Sequence, residues 1–249
     1  MADLSIHVIV FLLLFARVGA VTMALPVFTE DGVPMQVRLL IAIGLTLGLY
    51  GMLRDRVAAP DGNGALIAAL VIELVIGLGI GLLVRILFSA AAMAGSLVSL
   101  QIGLSSVLVP DAALGGQAPL LSRFVTVAVL VACMAMGVHH LWIAAIVHSY
   151  DQFPVGTLPP AADLLRVAVG TTGRAMALAV NLAAPLLVYA ILFNTALGLA
   201  ARMTPSLQVF FVAQPLNMLL GLTLFAVTFG TALTGFCYAV TAYMNRELL

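Results

Sequence analysis

"LAARMTPSLQVFFVAQPLNMLLGL", residues 199–222, decides how this chain is read. It joins two long apolar runs, yet it holds a guanidinium at Arg202 and prolines at Pro205 and Pro215 where a buried helix would simply continue. A proline inside a helix removes a backbone donor and clashes with the turn before it. An arginine at the centre of a membrane helix costs about 2.5–3.5 kcal/mol. The stretch reads either as a bend between two apolar arms, with an arginine that finds a partner at the bend or on a neighbouring chain, or as an ordinary turn beside which a loop arginine reaches water.

Composition says what surrounds such a bend. Of the 249 residues, 63% are hydrophobic and 8% charged, and the mean hydropathy is +1.22, a membrane-class balance. All ten basic residues are arginine, so no lysine is present to build a Walker A loop. The ten acidic residues cancel that charge, leaving no net field to attract nucleic acid or an anionic surface. Cys133 and Cys237 lie singly inside apolar runs and read as small buried hydrophobes, without a disulfide framework or zinc spacing. Asp3 precedes the first basic residue, Arg17, the reverse of a signal peptide's charge order, so the first apolar segment is expected to be retained.

Apolar segments run over residues 4–28, 39–53, 65–109, 124–147, 167–201 and 207–244, about five to seven helical passes. The intervening breaks, such as "TEDGVP" (29–34) and "RDRVAAPDGNG" (54–64), are too short for a soluble domain. One domain over residues 1–249, all-α and multi-helix, is expected. A crossing needs about 20 apolar residues, so the last two segments are too long for one pass each. Pro185 and Pro215, the latter flanked by Gln214 and Asn217, are expected to kink or break them into shorter helices.

Arg17, Arg85 and Arg174 fall inside apolar runs, as does Glu73. Facing lipid, such a set would cost on the order of 10 kcal/mol, so they face protein or water. Gly77 and Gly81 follow Glu73 at helical spacing, within about 80° of one another on the helix, where a partner backbone can approach closely. Gly44 and Gly48 repeat that pattern. Arg85 is rotated about 120° from Glu73 and displaced about 18 Å, so the two cannot pair within one helix. Glu73 needs a basic group from another helix, Arg17 or one of another chain.

These motifs resemble, in order and over nearly the whole chain, the export-gate family that comprises flagellar FliR and its injectisome counterparts. The resemblance is carried by 199–222, by "FARVGAVTMALPVF" and "VPMQVRLLIAIGLTL" with Arg17, Pro26, Pro34 and Arg38, and by "ELVIGLGIG" (73–81), "LQIGLSS" (100–106) and "HHLWIAAIVHSYDQFPVG" (139–156). It implies kinked helical hairpins that assemble with FliP and FliQ homologues into a helical export gate, with an FlhB homologue around the base, passing unfolded substrate proteins. It places the protein in the bacterial inner membrane at the flagellar basal body, multi-pass by sequence but raised out of the bilayer plane in the assembled gate. The flagellar branch is favoured over the injectisome branch on overall similarity.

The resemblance also places a gate or plug loop at Gly103, Leu104, Ser105, Ser106, Val107, Leu108, Val109, Pro110 and Asp111, the start of a Pro, Asp and Gly-rich stretch reaching 119. The family's loop often carries bulky aromatics and an Asp-Pro step, whereas aliphatic residues precede Pro110-Asp111 here. An ordinary interhelical turn is the alternative. Arg17, Pro26, Arg38, Glu73, Gly77, Gly81, Arg202, Pro205 and Pro215 are the expected buried-charge and helix-bend positions.

No catalytic residue, cofactor or metal is expected. His139 and His140 point about 100° apart on a helix, and with His148 they lack an acidic or thiol ligand at useful spacing. Ser122, Asp111 and His139 share only proximity in sequence. A small-solute transporter is the competing reading, because broken helices with buried charges also mark transport sites, but no convincing internal repeat relates the halves.

Overall fold

Three helices begin immediately after a proline, and two α-helices stop at a glycine in the left-handed region. That punctuation gives the element order in the computed structural model, which describes residues 2–28, 33–60, 62–111, 116–203 and 209–247. The helices are α1 (Ala2–Ala24), α2 (Met35–Leu53), α3 (Asn63–Ile102), α4 (Leu120–Ala135), α5 (Val138–Gln152), α6 (Ala161–Met203) and α7 (Val209–Glu247). A single 3₁₀ turn, Arg54–Arg56, follows α2. Pro34, Pro119 and Pro160 stand just before α2, α4 and α6, where a missing N–H and a pre-set φ favour helix initiation. Gly103 (φ 85°) ends α3 and Gly137 (φ 78°) separates α4 from α5, positions where a side chain would be strained.

Pro185 and Pro215 do not divide their helices. Helix α6 runs through Pro185 and α7 through Pro215 without interruption, so the expectation of two short helices in each is corrected. A proline removes one ladder bond, and away from water the flanking bonds have no competitor, so neighbouring turns hold the helix together. A break between helices falls instead at Gly137, between α4 and α5.

Among the described residues, five helices are long and apolar enough to cross a membrane, and up to six spans result if the consecutive α4 and α5 count as one. The fold is an all-α, multi-helix membrane fold with one addition. Between α3 and α4 lies a short antiparallel hairpin, β1 (Leu108–Asp111) and β2 (Gly116–Pro119), with Leu108 opposite Pro119 and Val109 opposite Ala118.

Packing divides the chain into two units. One contains residues 1–87, 137–172 and 241–249, the other residues 88–136 and 173–240. The first is centred on α1, whose residues Val10, Leu13, Leu14, Arg17, Val18 and Val21 are all buried, an i, i+3, i+4, i+7 stripe. The second is built from the later half of α3 (Ala91, Ala94, Val98, Ile102) with Val125 and Val129 of α4 and Ala179, Ala183 and Leu186 of α6. In it α3 and α4 cross closely at Gly95, where a Cβ would stand 2.5 Å from Ser122 Cα. Ser122 Oγ donates to the Ala92 carbonyl at 2.8 Å across the same crossing.

Candidate functional site: a buried arginine clamp and an apolar hairpin

Arg17 and Glu73 are both fully enclosed in the first unit. Arg17 Nε donates to Glu73 Oε2 at 2.6 Å and Nη2 to Oε1 at 2.9 Å, a two-pronged pair. Nη1 donates to the Ser149 carbonyl at 3.0 Å and to Ser149 Oγ at 3.2 Å, and Nη2 also donates to the Phe153 carbonyl at 2.9 Å. Every N–H of the guanidinium is thereby used. The Tyr150 ring covers the cation, with its centroid 4.0 Å from the guanidinium carbon. Helix α5 ends at Gln152; the Ser149 carbonyl also accepts from Phe153 N–H at 2.9 Å, and the Phe153 carbonyl lies just past the last turn, at a helix end that favours a cation. Arg17 therefore joins three helices: it lies on α1, pairs with α3 and caps α5.

The glycines beside Glu73 make that approach possible. A Cβ on Gly77 would stand 2.6 Å from the Arg17 carbonyl oxygen and 2.7 Å from Ala20 Cβ, and one on Gly81 would overlap Ala24 Cβ. These are the small residues that let α1 lie against α3. Gly44 and Gly48 differ, since among the described residues no atom beyond the adjoining helix backbone comes within 4 Å of where their Cβ would be.

The loop after α3 belongs to the second unit. Gly103 N–H donates to the Leu100 carbonyl at 3.3 Å and Leu104 N–H to the Ser99 carbonyl at 2.8 Å, the paired bonds of a Schellman helix end. A turn follows, with Val107 N–H on the Leu104 carbonyl at 3.1 Å, and Leu120 N–H returns to the Val107 carbonyl at 2.9 Å, closing the hairpin at its base. Ser105 and Ser106 are exposed and Leu104 half-buried. Val107 is 43% exposed and Leu108 48%, so the aliphatic residues project from a firmly anchored root. Pro110 and Asp111 lie in β1.

The other expected positions scatter. Pro26 is buried in the turn after α1, and Arg38, at the start of α2, is half-buried and donates from Nε to the Val33 carbonyl at 3.0 Å. Arg202 is exposed in the last turn of α6, Pro215 is exposed within α7, and Pro205 lies outside the described residues. Arg85 and Arg174 are exposed, each with an interaction of its own. Cys133 and Cys237 are buried with their Sγ atoms 3.0 Å apart. No group of three or more His, Cys, Asp or Glu among the described residues is arranged to hold a metal ion.

Sequence reasoning missed Ser149, Tyr150 and Phe153. Two of the contacts these residues make to Arg17 are through backbone carbonyls, which no residue type announces. It also missed the hairpin, whose eight strand residues show no apolar alternation. Asn217 was noticed only as a flank of Pro215, yet its Nδ2 donates to the Gln101 carbonyl at 3.1 Å.

Long apolar helices, a charge pair sealed among three of them, and an aliphatic hairpin projecting from a capped helix end define a multi-pass membrane protein whose distinctive part is a loop. Residues 8–242 match the family described as bacterial export proteins, family 1, and the chain belongs to that family. It is 37% identical over 225 residues to the flagellar biosynthetic protein FliR of Caulobacter vibrioides, covering 90% of each chain. It is 29% identical over 212 residues to FliR of Escherichia coli (84% of this chain, 80% of that one), and 27% identical over 211 residues to FliR of Bacillus subtilis (84% and 81%).

Proposed function

We propose that this chain acts over its whole length as one subunit of the flagellar protein-export gate in the bacterial inner membrane, at the basal body. With homologues of FliP, FliQ and FlhB it forms the channel through which unfolded flagellar subunits leave, and it serves as a conduit rather than a catalyst. In the assembled gate its long helices are raised partly out of the bilayer plane, with their apolar faces against sister subunits. The relatives above share a flagellar name, which favours the flagellar branch over the injectisome branch.

The observation that carries the gating part is the hairpin root. Val107 and Leu108 are half-exposed aliphatic residues on a helix end whose carbonyls are capped. Exposed side chains of this kind on an ordinary surface turn gain nothing, whereas in a pore they form a constriction that excludes water and ions until a polypeptide displaces it. Gly103 to Asp111 form the closing segment.

Two measurements test the reading. Solubilised in mild detergent, the protein should bring down FliP and FliQ homologues in a fixed ratio; a lone, stable monomer would sink the assembly. In vesicles holding the assembled complex, changing Val107, Leu108 and Val109 together to serine should raise ion leak several-fold, and unchanged leak with normal complex recovery would reduce the hairpin to a turn.

A further inference from the structure

We propose that Tyr189, Asn217 and Gln214 form a clasp that holds the root of the 103–111 loop in its resting position, and that loss of the clasp loosens the loop. This rests on the reading of that loop as the closing segment. Tyr189 Oη donates to Asn217 Oδ1 at 3.0 Å, and Asn217 Nδ2 donates to the Gln101 carbonyl at 3.1 Å. The Asn217 amide thus spans α6, α7 and the last turn of α3. Of the carbonyls that α3 leaves open at its end, Ser99 and Leu100 are taken by Leu104 and Gly103, and Gln101 is taken by Asn217.

The rest of the α7 face is shaped to the same terminus. Gln214, Asn217 and Gly221 lie at i, i+3 and i+7, one side of a helix. Gln214 Nε2 is the atom nearest to where a Gly103 Cβ would stand, and a Cβ on Gly221 would meet Ile102 Cγ1 at 2.8 Å. The three residues of α7 therefore meet residues 103, 101 and 102 in turn. Tyr189 is itself set by stacking on Phe193, with ring centroids 5.5 Å apart. An uncharged amide bonded on both sides orders the chain end beneath it, and each of its bonds can be removed separately. These are positioning residues: none lies in the closing segment, and they act through the helix end that carries it.

The test uses the complex with its partners in vesicles, with S106C introduced as a reporter at an exposed loop position; the native thiols Cys133 and Cys237 are buried. The variants are Y189F, which removes one oxygen and keeps the ring stack, and N217D, which keeps the acceptor for Tyr189 but loses the donor to Gln101. Each is expected to raise the rate of maleimide labelling at S106C about five- to tenfold, the shift that loss of one net hydrogen bond produces, and to raise ion leak, with complex recovery unchanged. Unchanged labelling in both variants overturns the clasp, whatever the serine triple variant of the loop does to leak. Faster labelling without added leak upholds the clasp and counts instead against the loop as the seal.

Discussion

Replacing Glu73 with glutamine should destabilise the protein by about 3 kcal/mol, and the reason lies in how Arg17 distributes its donors. The carboxylate takes two of the five contacts, at 2.6 and 2.9 Å, while the other three go to Ser149 and Phe153. Glutamine keeps the shape and one acceptor but turns an amide N–H₂ toward a guanidinium N–H, leaving a buried cation short of its counter-charge. Breaking one side of a buried pair costs about 3–5 kcal/mol, and the surviving contacts place E73Q at the lower end. R17M removes both the pair and the cap on α5, leaving a buried carboxylate, and should cost about 5 kcal/mol. The double variant R17M/E73M is the informative one. An isolated buried pair can be exchanged for apolar groups at little cost, but here the Phe153 carbonyl would still lose its donor, so about 1–3 kcal/mol should remain. The assay is unfolding of the purified protein in detergent, followed by tryptophan fluorescence from Trp142, which is buried in α5. A double variant as stable as the parent would refute the capping role, and an unperturbed E73Q would refute the pair itself.

Two further outcomes follow from the same neighbourhood. The Tyr150 hydroxyl is buried with no hydrogen-bond partner among the described residues, while its ring covers Arg17; Y150F keeps the ring and should stabilise the protein by about 1 kcal/mol, read as a higher detergent midpoint, and a loss of stability would show that the hydroxyl is satisfied. Gly77→Ala places a Cβ 2.6 Å from the Arg17 carbonyl and should cost about 2 kcal/mol or more by pushing α1 off α3, whereas Gly44→Ala, which meets nothing, should be neutral or gain up to about 1 kcal/mol of helix propensity; equal effects at the two sites would refute the close contact.

How much of this was legible beforehand depends on whether a residue type or only the backbone carries the interaction. The helix starts after Pro34, Pro119 and Pro160 follow from what proline does to φ, whereas the apolar segment read over 65–109 runs past the stop at Gly103. The need of Glu73 for a cation from another helix follows from the cost of a carboxylate in an apolar run, and Gly77 and Gly81 show that a neighbouring backbone lies close. The rest of the clamp was invisible because Ser149 and Phe153 contribute carbonyls, at a helix end that forms only once α5 stops. Pro185 and Pro215 misled because local propensity favours a break while an apolar setting favours continuing the ladder. The hairpin has no alternation to reveal it; its strands pair through backbone groups and are closed at the base by Leu120 N–H.

Helix length and arginine placement together bear on where the apolar surface goes. At 40 and 43 residues, α3 and α6 are about 60 and 65 Å long, roughly twice the thickness of a hydrocarbon core. Centring α3 in a bilayer would bring exposed Arg85 within about 4 Å of the midplane, the most costly depth for a guanidinium. Sliding α3 along its axis until Arg85 reaches an interface leaves about half of the helix beyond the hydrocarbon. Arg85 and Arg174 each fall two residues from the point where α3 and α6 pass from one packed unit to the other, so on both helices the polar position coincides with that division. Yet only 33% of the apolar window of α3 and 28% of that of α6 is buried within the chain. Whatever part stands outside the lipid would meet water with most of its apolar face uncovered, which costs about 25 cal/mol for each Å². Covering it with other polypeptide removes that cost, and this is the physical ground on which an assembled gate, rather than a solitary bundle, suits these helices.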